Sequence, residues 1–284
     1  MSSAGLLTLD VEDWHHANFH QLEGREGEFR GLADEKRYPI ERNIDLWIET
    51  LASYGAKSTC FVLGEFAKNH PAAVLALQRQ GHEIACHGMT HDLIYRMTQP
   101  QFREYLKAAI GALGELTGRP PIGFRAPSWS VGARTPWFCD ELERAGIRYD
   151  SSEFPIKTPL YGVADGSLKP YRSGKLIRIP VTVLPFAGAR IPFSSGCFFR
   201  LAPKVLIRVG LKRALAAGLP PMVVLHPREL DPDHPRLPIR GWESWVHYAR
   251  LDTTLPKLHM VLKMMNWDSI SNRLGQIEHS LGNF

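Results

Sequence analysis

The chain opens on an apolar run, residues 5–10, that stops abruptly at three carboxylates, Asp10, Glu12 and Asp13. Short unbroken apolar runs bounded by polar residues predict strands covered on both faces. Residues 17–38 are polar and rich in Gly, Glu and Arg, which predicts a long surface loop. In IERNIDLWIETLASYG, Ile44, Trp47, Ile48 and Leu51 recur on one helical face, and Gly55 stops the helix. Alternation then continues. KSTCFVLG predicts a strand, EFAKNHPAAVLALQRQG a helix, HEIACHG a strand and QPQFREYLKAAIGALGELTG a long helix. PIGFRAP and IRYDSS predict strands on either side of the helix RTPWFCDELERAG. Repeated strand–helix units imply a parallel sheet with covering helices. Four or five units, each with polar residues just past its strand, predict an α/β fold of the β/α barrel kind, with its chemistry at the C-terminal strand ends.

Across residues 157–200 the pattern changes to short strands and Pro/Gly turns, which predicts a β-rich insertion over the barrel mouth. APKVLIRVGLKRALAAG and PMVVLH resume the barrel, and Trp242 to about Leu262 predicts a closing helix. The expected organisation is one domain over residues 1–284, with no internal repeat.

Composition narrows the function class only slightly. The chain has 284 residues, 44% hydrophobic and 22% charged, which suits a globular core. Its net charge of +5 is scattered and no nucleic-acid motif accompanies it, so no nucleic-acid partner is expected. Four cysteines without C-x-x-C spacing argue against a zinc knuckle or a disulfide scaffold. No leader pattern and no run of 18 apolar residues is visible, so a cytoplasmic protein is expected, at most at the inner membrane face. The segment APKVLIRVGLKRALAAGLPP is basic and apolar. It is read first as an ordinary barrel helix, with peripheral membrane contact as the alternative.

The candidate chemistry gathers at five strand ends. Asp10, Glu12, Asp13 and Trp14 follow the first. His87 and His91 follow another in an H-x-x-x-H spacing that, on one helical turn, puts both imidazoles within reach of one divalent ion. Arg125, Pro127 and Trp129 stand in FRAPSWS, Asp150 in YDSS, and Leu225 and His226 in VVLHPREL. Each residue also has a structural explanation: Arg125 as an ion-pair residue, Asp150 as a helix cap, His226 as a core histidine, the two tryptophans as packing. Two histidines and one carboxylate form a common metal-binding set, and an arginine facing carboxylates can hold one ionised and oriented.

Taken together and in order, T-x-D-x-E-D (Thr8 to Asp13), H-x-x-x-H, R-x-P-x-W, Asp150 and Leu-His (Leu225, His226) resemble the polysaccharide deacetylase family, carbohydrate esterase family 4. Within it the chain looks most like the branch of exopolysaccharide loci with exosortase systems. That branch shares the D-V-E-D-W opening, an R-x-x-P segment and H-P-x-E, although SSG stands here where it usually has a run of glycines. The resemblance implies a distorted (β/α)7 barrel and a metal-dependent N-deacetylase. Asp10 is then the general base and His226 the acid, Arg125 tunes the base, and Asp150 orients the acid. His87 and His91 with Glu12 or Asp13 bind the ion, zinc first and cobalt or nickel as alternatives. Trp14, Pro127, Trp129 and Leu225 border the substrate.

Strand alternation puts Glu12 on the side of Asp10, whereas a turn directly after Asp10 favours Asp13; both remain candidates. His15 and His16 are expected as exposed loop residues. The implied substrate is an N-acetylated amino sugar in a polysaccharide or a lipid-linked saccharide. Hydrolysis of a small cyclic amide or ureide, and a catalytically silent sugar-binding barrel, are the competing functions.

Overall fold

The computed structural model describes residues 4–16, 18–19, 40–158 and 161–282. Apart from Asn18 and Phe19, the loop expected over residues 17–38 lies outside them. The strands are β1 (Ala4–Val11), β2 (Thr59–Val62), β3 (Glu83–Cys86), β4 (Gly123–Phe124), β5 (Tyr149–Asp150), β6 (Tyr171–Ser173), β7 (Leu176–Arg178), β8 (Val183–Phe186), β9 (Ala189–Pro192), β10 (Met222–Leu225) and β11 (Asn266–Asp268). The helices are α1 (Glu41–Ala52), α2 (Gly64–Asn69), α3 (Pro71–Arg79), α4 (Gln99–Thr117), α5 (Phe138–Arg144), α6 (Gly196–Leu201), α7 (Lys204–Ala216), α8 (Gly241–Tyr248), α9 (Thr254–Leu262) and α10 (Ile270–Ser280).

The main sheet runs β10-β1-β2-β3-β4-β5-β7-β6, parallel throughout except for β6 against β7. β11 adds in parallel to the start of β1. All eight residues of β1 are buried, as a strand covered on both faces requires. Alternation divides them. Leu7, Leu9 and Val11 face the helices and pack in one cluster with Ile44, Trp47 and Leu51 of α1. Leu6 faces inward and shares a second cluster with Phe61, Ala85, Tyr149, Ile177 and Val224, one residue from each of five further strands. Because β7 and β10 lie near opposite ends of the strand order yet contribute to the same inner layer, the sheet is curled. Its seven parallel strands form an open (β/α)7-like barrel. The seam beside β10 is partly closed by the stretch after β9, where Ser195 bridges Val224.

Several local expectations change in the fold. The helix read through residues 65–81 is two helices, because Pro71 forces His70 out of helical backbone (φ −128°, ψ 52°). The closing helix from Trp242 to Leu262 is likewise split into α8 and α9, with Arg250 left-handed at φ 57° between them. The β-rich stretch over residues 157–200 is not wholly an insertion: β7 pairs in parallel with β5 and β6 continues that edge, while β8 and β9 form a separate hairpin. Among the described residues no helix is long and apolar enough to cross a membrane.

Candidate active site

At the C-terminal rim of the curled sheet, the inward side of β1 continues from Leu6 through Thr8 to Asp10, and Glu12 follows just past the strand. Arg125, directly after β4, is fully buried over the Phe61 ring, 4.1 Å from its centroid. Its Nη1 donates to Asp10 Oδ1 at 2.5 Å and to Thr8 Oγ1 at 2.9 Å, and its Nη2 donates to Ser151 Oγ at 2.9 Å. A guanidinium bonded to three side chains in this way fixes one Asp10 oxygen and leaves Oδ2 facing His226, whose Nε2 lies 4.0 Å away.

Glu12 is the meeting point of the two histidines. Its Oε1 lies 3.0 Å from His87 Nε2 and 2.9 Å from His91 Nε2, and all three side chains are nearly inaccessible. Burial alone would raise the Glu12 carboxyl, yet His91, His226 and His87 hold it well below the usual carboxylate range. Burial in turn pushes His91 below its ordinary value, against the pull of Glu12. A carboxylate and two imidazoles whose ligand atoms meet at one point are a metal-ligand set. The ring of His87 carries the argument further. Its Nδ1 donates to the Arg125 carbonyl at 2.8 Å, so in the neutral ring Nε2 holds a lone pair aimed at a carboxylate oxygen. A bound metal ion between the two would take both lone pairs, where otherwise a proton must lie between them. Glu12, His87 and His91 therefore fit a divalent ion.

Asp13 is turned elsewhere: its Oδ1 accepts from the Trp14 backbone at 2.6 Å and its Oδ2 lies 3.9 Å from His15. Strand alternation through Glu12 thus matches the geometry. H-x-x-x-H does not lie on a helical turn as expected; residues 87–91 form an irregular bend. Gly88 makes that bend with φ +95°, where a Cβ would fall 2.2 Å from the Tyr105 hydroxyl, so only glycine lets the loop bring His91 back over the site.

His226 has a different partner from the one expected. Its Nδ1 donates to Glu229 Oε2 at 2.9 Å, and Arg200 Nε donates to Glu229 Oε1 at 2.8 Å. Burial disfavours the charged ring, but Glu12 and Glu229 outweigh it and raise His226 above its ordinary value. Burial likewise opposes ionised Glu229, which His226, Arg200 and Arg228 nonetheless hold well below the carboxylate range. Asp150, the expected partner, is bound instead to Arg178 Nε at 2.7 Å and to Ser152. It sits inside the sheet, and among the described residues Glu229 is the carboxylate that reaches Nδ1, because the turn Pro227–Leu230 folds back on His226. Gly196 meets the same ring from the other side, with its φ of +47° opening α6 and His226 Cε1 3.6 Å from the position of a Cβ.

Of these groups Asp10, Glu12, His91, Gly196, Arg200 and His226 line a cavity of about 350 Å³ that also takes in Trp129, Tyr161, Ser195, Phe198 and Arg228. Trp14, Pro127 and Leu225 are not among its lining residues. Trp14 packs with Leu237 and Ile239, Pro127 is buried in the turn before Trp129, and Leu225 points into the helix-side core. His15 and His16 are not exposed; both side chains are about nine-tenths buried, and His16 lines the cavity beside His91. Glu229 had a signal in H-P-x-E, three residues after His226. Arg200 had one in the R-x-x-P segment that it opens, but its partner had none, since that pairing depends on α6 docking against the far turn.

Comparison with known proteins places this geometry among relatives. Residues 38–149 match the polysaccharide deacetylase family, and residues 151–274 match a domain of unknown function, DUF3473. The chain is 33% identical over 110 residues to a peptidoglycan deacetylase-like protein of Gibberella zeae, 39% of this chain and 32% of that one. It is 41% identical over 108 residues to a chitooligosaccharide deacetylase of Sinorhizobium fredii, 31% of this chain and 50% of that one. The chain thus spans a third to a half of these curated relatives. Its fold matches that of a Mycobacterium smegmatis protein assigned as a polysaccharide deacetylase, with TM-score 0.65 and 19% identity over 98% of this chain and 92% of that one. The site crosses the boundary between the two matched segments: His87, His91 and Arg125 lie in the first, Arg200, His226 and Glu229 in the second.

Proposed function

We propose, taking as premise that residues 38–149 belong to the polysaccharide deacetylase family, that this protein removes acetyl from an N-acetylated amino sugar, in an exopolysaccharide chain or its lipid-linked precursor. The observation that carries the reading is the convergence on one cavity of an arginine-held carboxylate, a carboxylate-held histidine and a two-histidine, one-carboxylate set. Glu12, His87 and His91 would hold a divalent ion, zinc or a similar one, which would supply Lewis-acid polarisation of the amide carbonyl and acidify water. Asp10 accepts the proton of the water that adds to the acetyl carbon. Arg125 holds one oxygen of that carboxylate and leaves the other pointed at the reacting atoms. An amine leaves poorly until it is protonated, so His226 delivers its Nε2 proton to the nitrogen as the C–N bond breaks, giving acetate and the free amine. Glu229 and Arg200 hold the ring with Nδ1 turned away from the substrate.

The relatives' names, a peptidoglycan deacetylase-like protein and a chitooligosaccharide deacetylase, support an amino-sugar substrate. So does the cavity wall: Trp242 and Trp245, 52% and 58% exposed, offer flat apolar faces of the kind that sugar rings pack against. Along the outer face of α7, Val205 and Val209 alternate with Lys204, Arg208 and Lys212, which supports peripheral contact with an anionic membrane and hence a lipid-linked substrate.

The test is acetate release from N-acetylglucosamine oligomers and from lipid-linked N-acetylglucosamine, before chelation, after it, and after zinc, cobalt or nickel is returned. Release that requires metal is expected. Turnover of a cyclic ureide with no acetate from any acetamido sugar would overturn the reading. Sugar binding without turnover by the metal-loaded protein would make this a silent barrel.

A further inference from the structure

The turn that carries the acid histidine also carries a cation that the hydrolysis does not use. Arg228 stands two residues after His226 and lines the same cavity. Its Nε and Nη1 are buried and have no hydrogen-bond partner among the described residues. The neighbouring carboxylate, Glu229, attracts it through space but gives it no hydrogen bond, its oxygens being directed at Arg200 and His226. His247, from α8, lines the cavity as well, and both its ring nitrogens are buried without a partner. Burial first, and then Arg228, push His247 well below its ordinary value, so its ring is neutral and carries one N–H to donate. Burial, against the pull of Glu229 and Glu12, lowers Arg228 itself. Buried guanidinium N–H groups without hydrogen-bond partners are costly, and a planar fork of N–H donors matches the oxygens of a carboxylate or phosphate.

We propose that Arg228 and His247 form a subsite for an anionic oxygen group, carboxylate or phosphate, carried by the same saccharide whose acetamide meets Asp10 and His226. The preferred substrate is then an acidic sugar or a sugar phosphate rather than a neutral oligomer. The inference rests on the deacetylase reading for the identity of the saccharide, but not for the existence of the anion subsite. Ser195 Oγ and Trp129 Nε1, also buried without partners on the cavity wall, remain to serve the neutral part of the sugar.

The experiment uses the full chain, metal-loaded and carrying Asp10→Asn so that ligand is not consumed. It is titrated calorimetrically with N-acetylglucosamine, N-acetylglucosamine 1-phosphate and a disaccharide of N-acetylglucosamine and glucuronic acid. At least one anionic ligand is expected to bind about tenfold or more tighter than the neutral sugar, with a gap that narrows in salt. Arg228→Gln is expected to erase the gap and Arg228→Lys to restore part of it, and thermal melts establish that each variant is folded. Preference for the phosphate marks a sugar phosphate or lipid-linked substrate, and preference for the uronate an acidic glycan. Equal binding of all three, or a gap that survives in folded Arg228→Gln, overturns the subsite and assigns any anion binding to the metal. Should the gap depend on Arg228 while the enzyme with Asp10 intact releases no acetate, the subsite stands and the deacetylase reading falls.

Discussion

Glu229 Oε2 accepts from His226 Nδ1 at 2.9 Å and from the His226 backbone N–H at 3.1 Å, so one carboxylate fixes both the ring and the chain that carries it. Arg200 Nε holds the other oxygen, and its Nη2 donates to the Val246 carbonyl at 2.8 Å, which ties the pair to α8. Both lie in the segment matched to the domain of unknown function, which thereby supplies the acid half of the candidate site.

Replacing Glu229 by Gln removes the charge that helps raise His226. The acid must be protonated to act, so a lower pKa moves the alkaline limb of the kcat/KM profile to lower pH. The rate at its optimum is expected to fall about a hundredfold. Asp150→Asn is expected to leave the limb in place and to lower the melting temperature, because it strips the partner from Arg178. A limb that moves with Asp150 and not with Glu229 would return the orienting role to Asp150.

Asp10→Asn keeps the shape of the side chain but not its basicity. Turnover is expected to fall about a thousandfold or more, with metal content by elemental analysis unchanged. Full activity in this variant would remove Asp10 from the role of base.

Metal content also separates the two neighbouring carboxylates. Glu12→Ala and His91→Ala are expected to purify without the ion and without activity, whereas Asp13→Ala keeps the ion. An Asp13→Ala protein free of metal would contradict the convergence on Glu12 Oε1.

Stability at low pH reports a site far from the chemistry. Glu141 of α5 accepts from Arg103 Nε and Nη2, each at 2.8 Å, and from Gln99 at 2.6 Å, clamping α4 to α5. The bonds from Arg103 outweigh burial and hold its carboxyl at about 2, below the ordinary 4.5. A depressed carboxyl stabilises the fold above its unfolded pKa, and that contribution is lost as pH falls through the folded value. Between pH 4.5 and 2 the melting temperature should therefore drop less steeply in Glu141→Gln than in the parent. With its arginine partners solvent-exposed, the contribution at neutral pH is small, so the difference in melting temperature is expected to be a few degrees at most. Parallel melting curves across that window would show that the clamp contributes nothing.

What the sequence by itself determined was whatever local pattern encodes. Apolar runs and 3.6-residue periodicity located the strands and most helices, and the ends of those strands pointed to Asp10, Glu12, His87, His91, Arg125 and His226. Period-two alternation even placed Glu12 on the side of Asp10, since that rule needs only the strand. Local pattern failed wherever the outcome depended on contacts distant along the chain. H-x-x-x-H read as helical because spacing is blind to the left-handed Gly88, and Trp14 and Leu225 read as substrate contacts because adjacency does not give direction. Asp150 and Glu229 are both carboxylates near a strand end. Which of them meets His226 was decided by a turn that folds back on the ring, by Arg178 reaching the one and by Arg200 reaching the other. The pairing of buried charges is a property of three-dimensional proximity, because each must find its counter-charge in the finished interior. Only the tertiary structure, for the same reason, left Arg228 at the cavity with two buried N–H groups and no hydrogen-bond partner for them among the described residues.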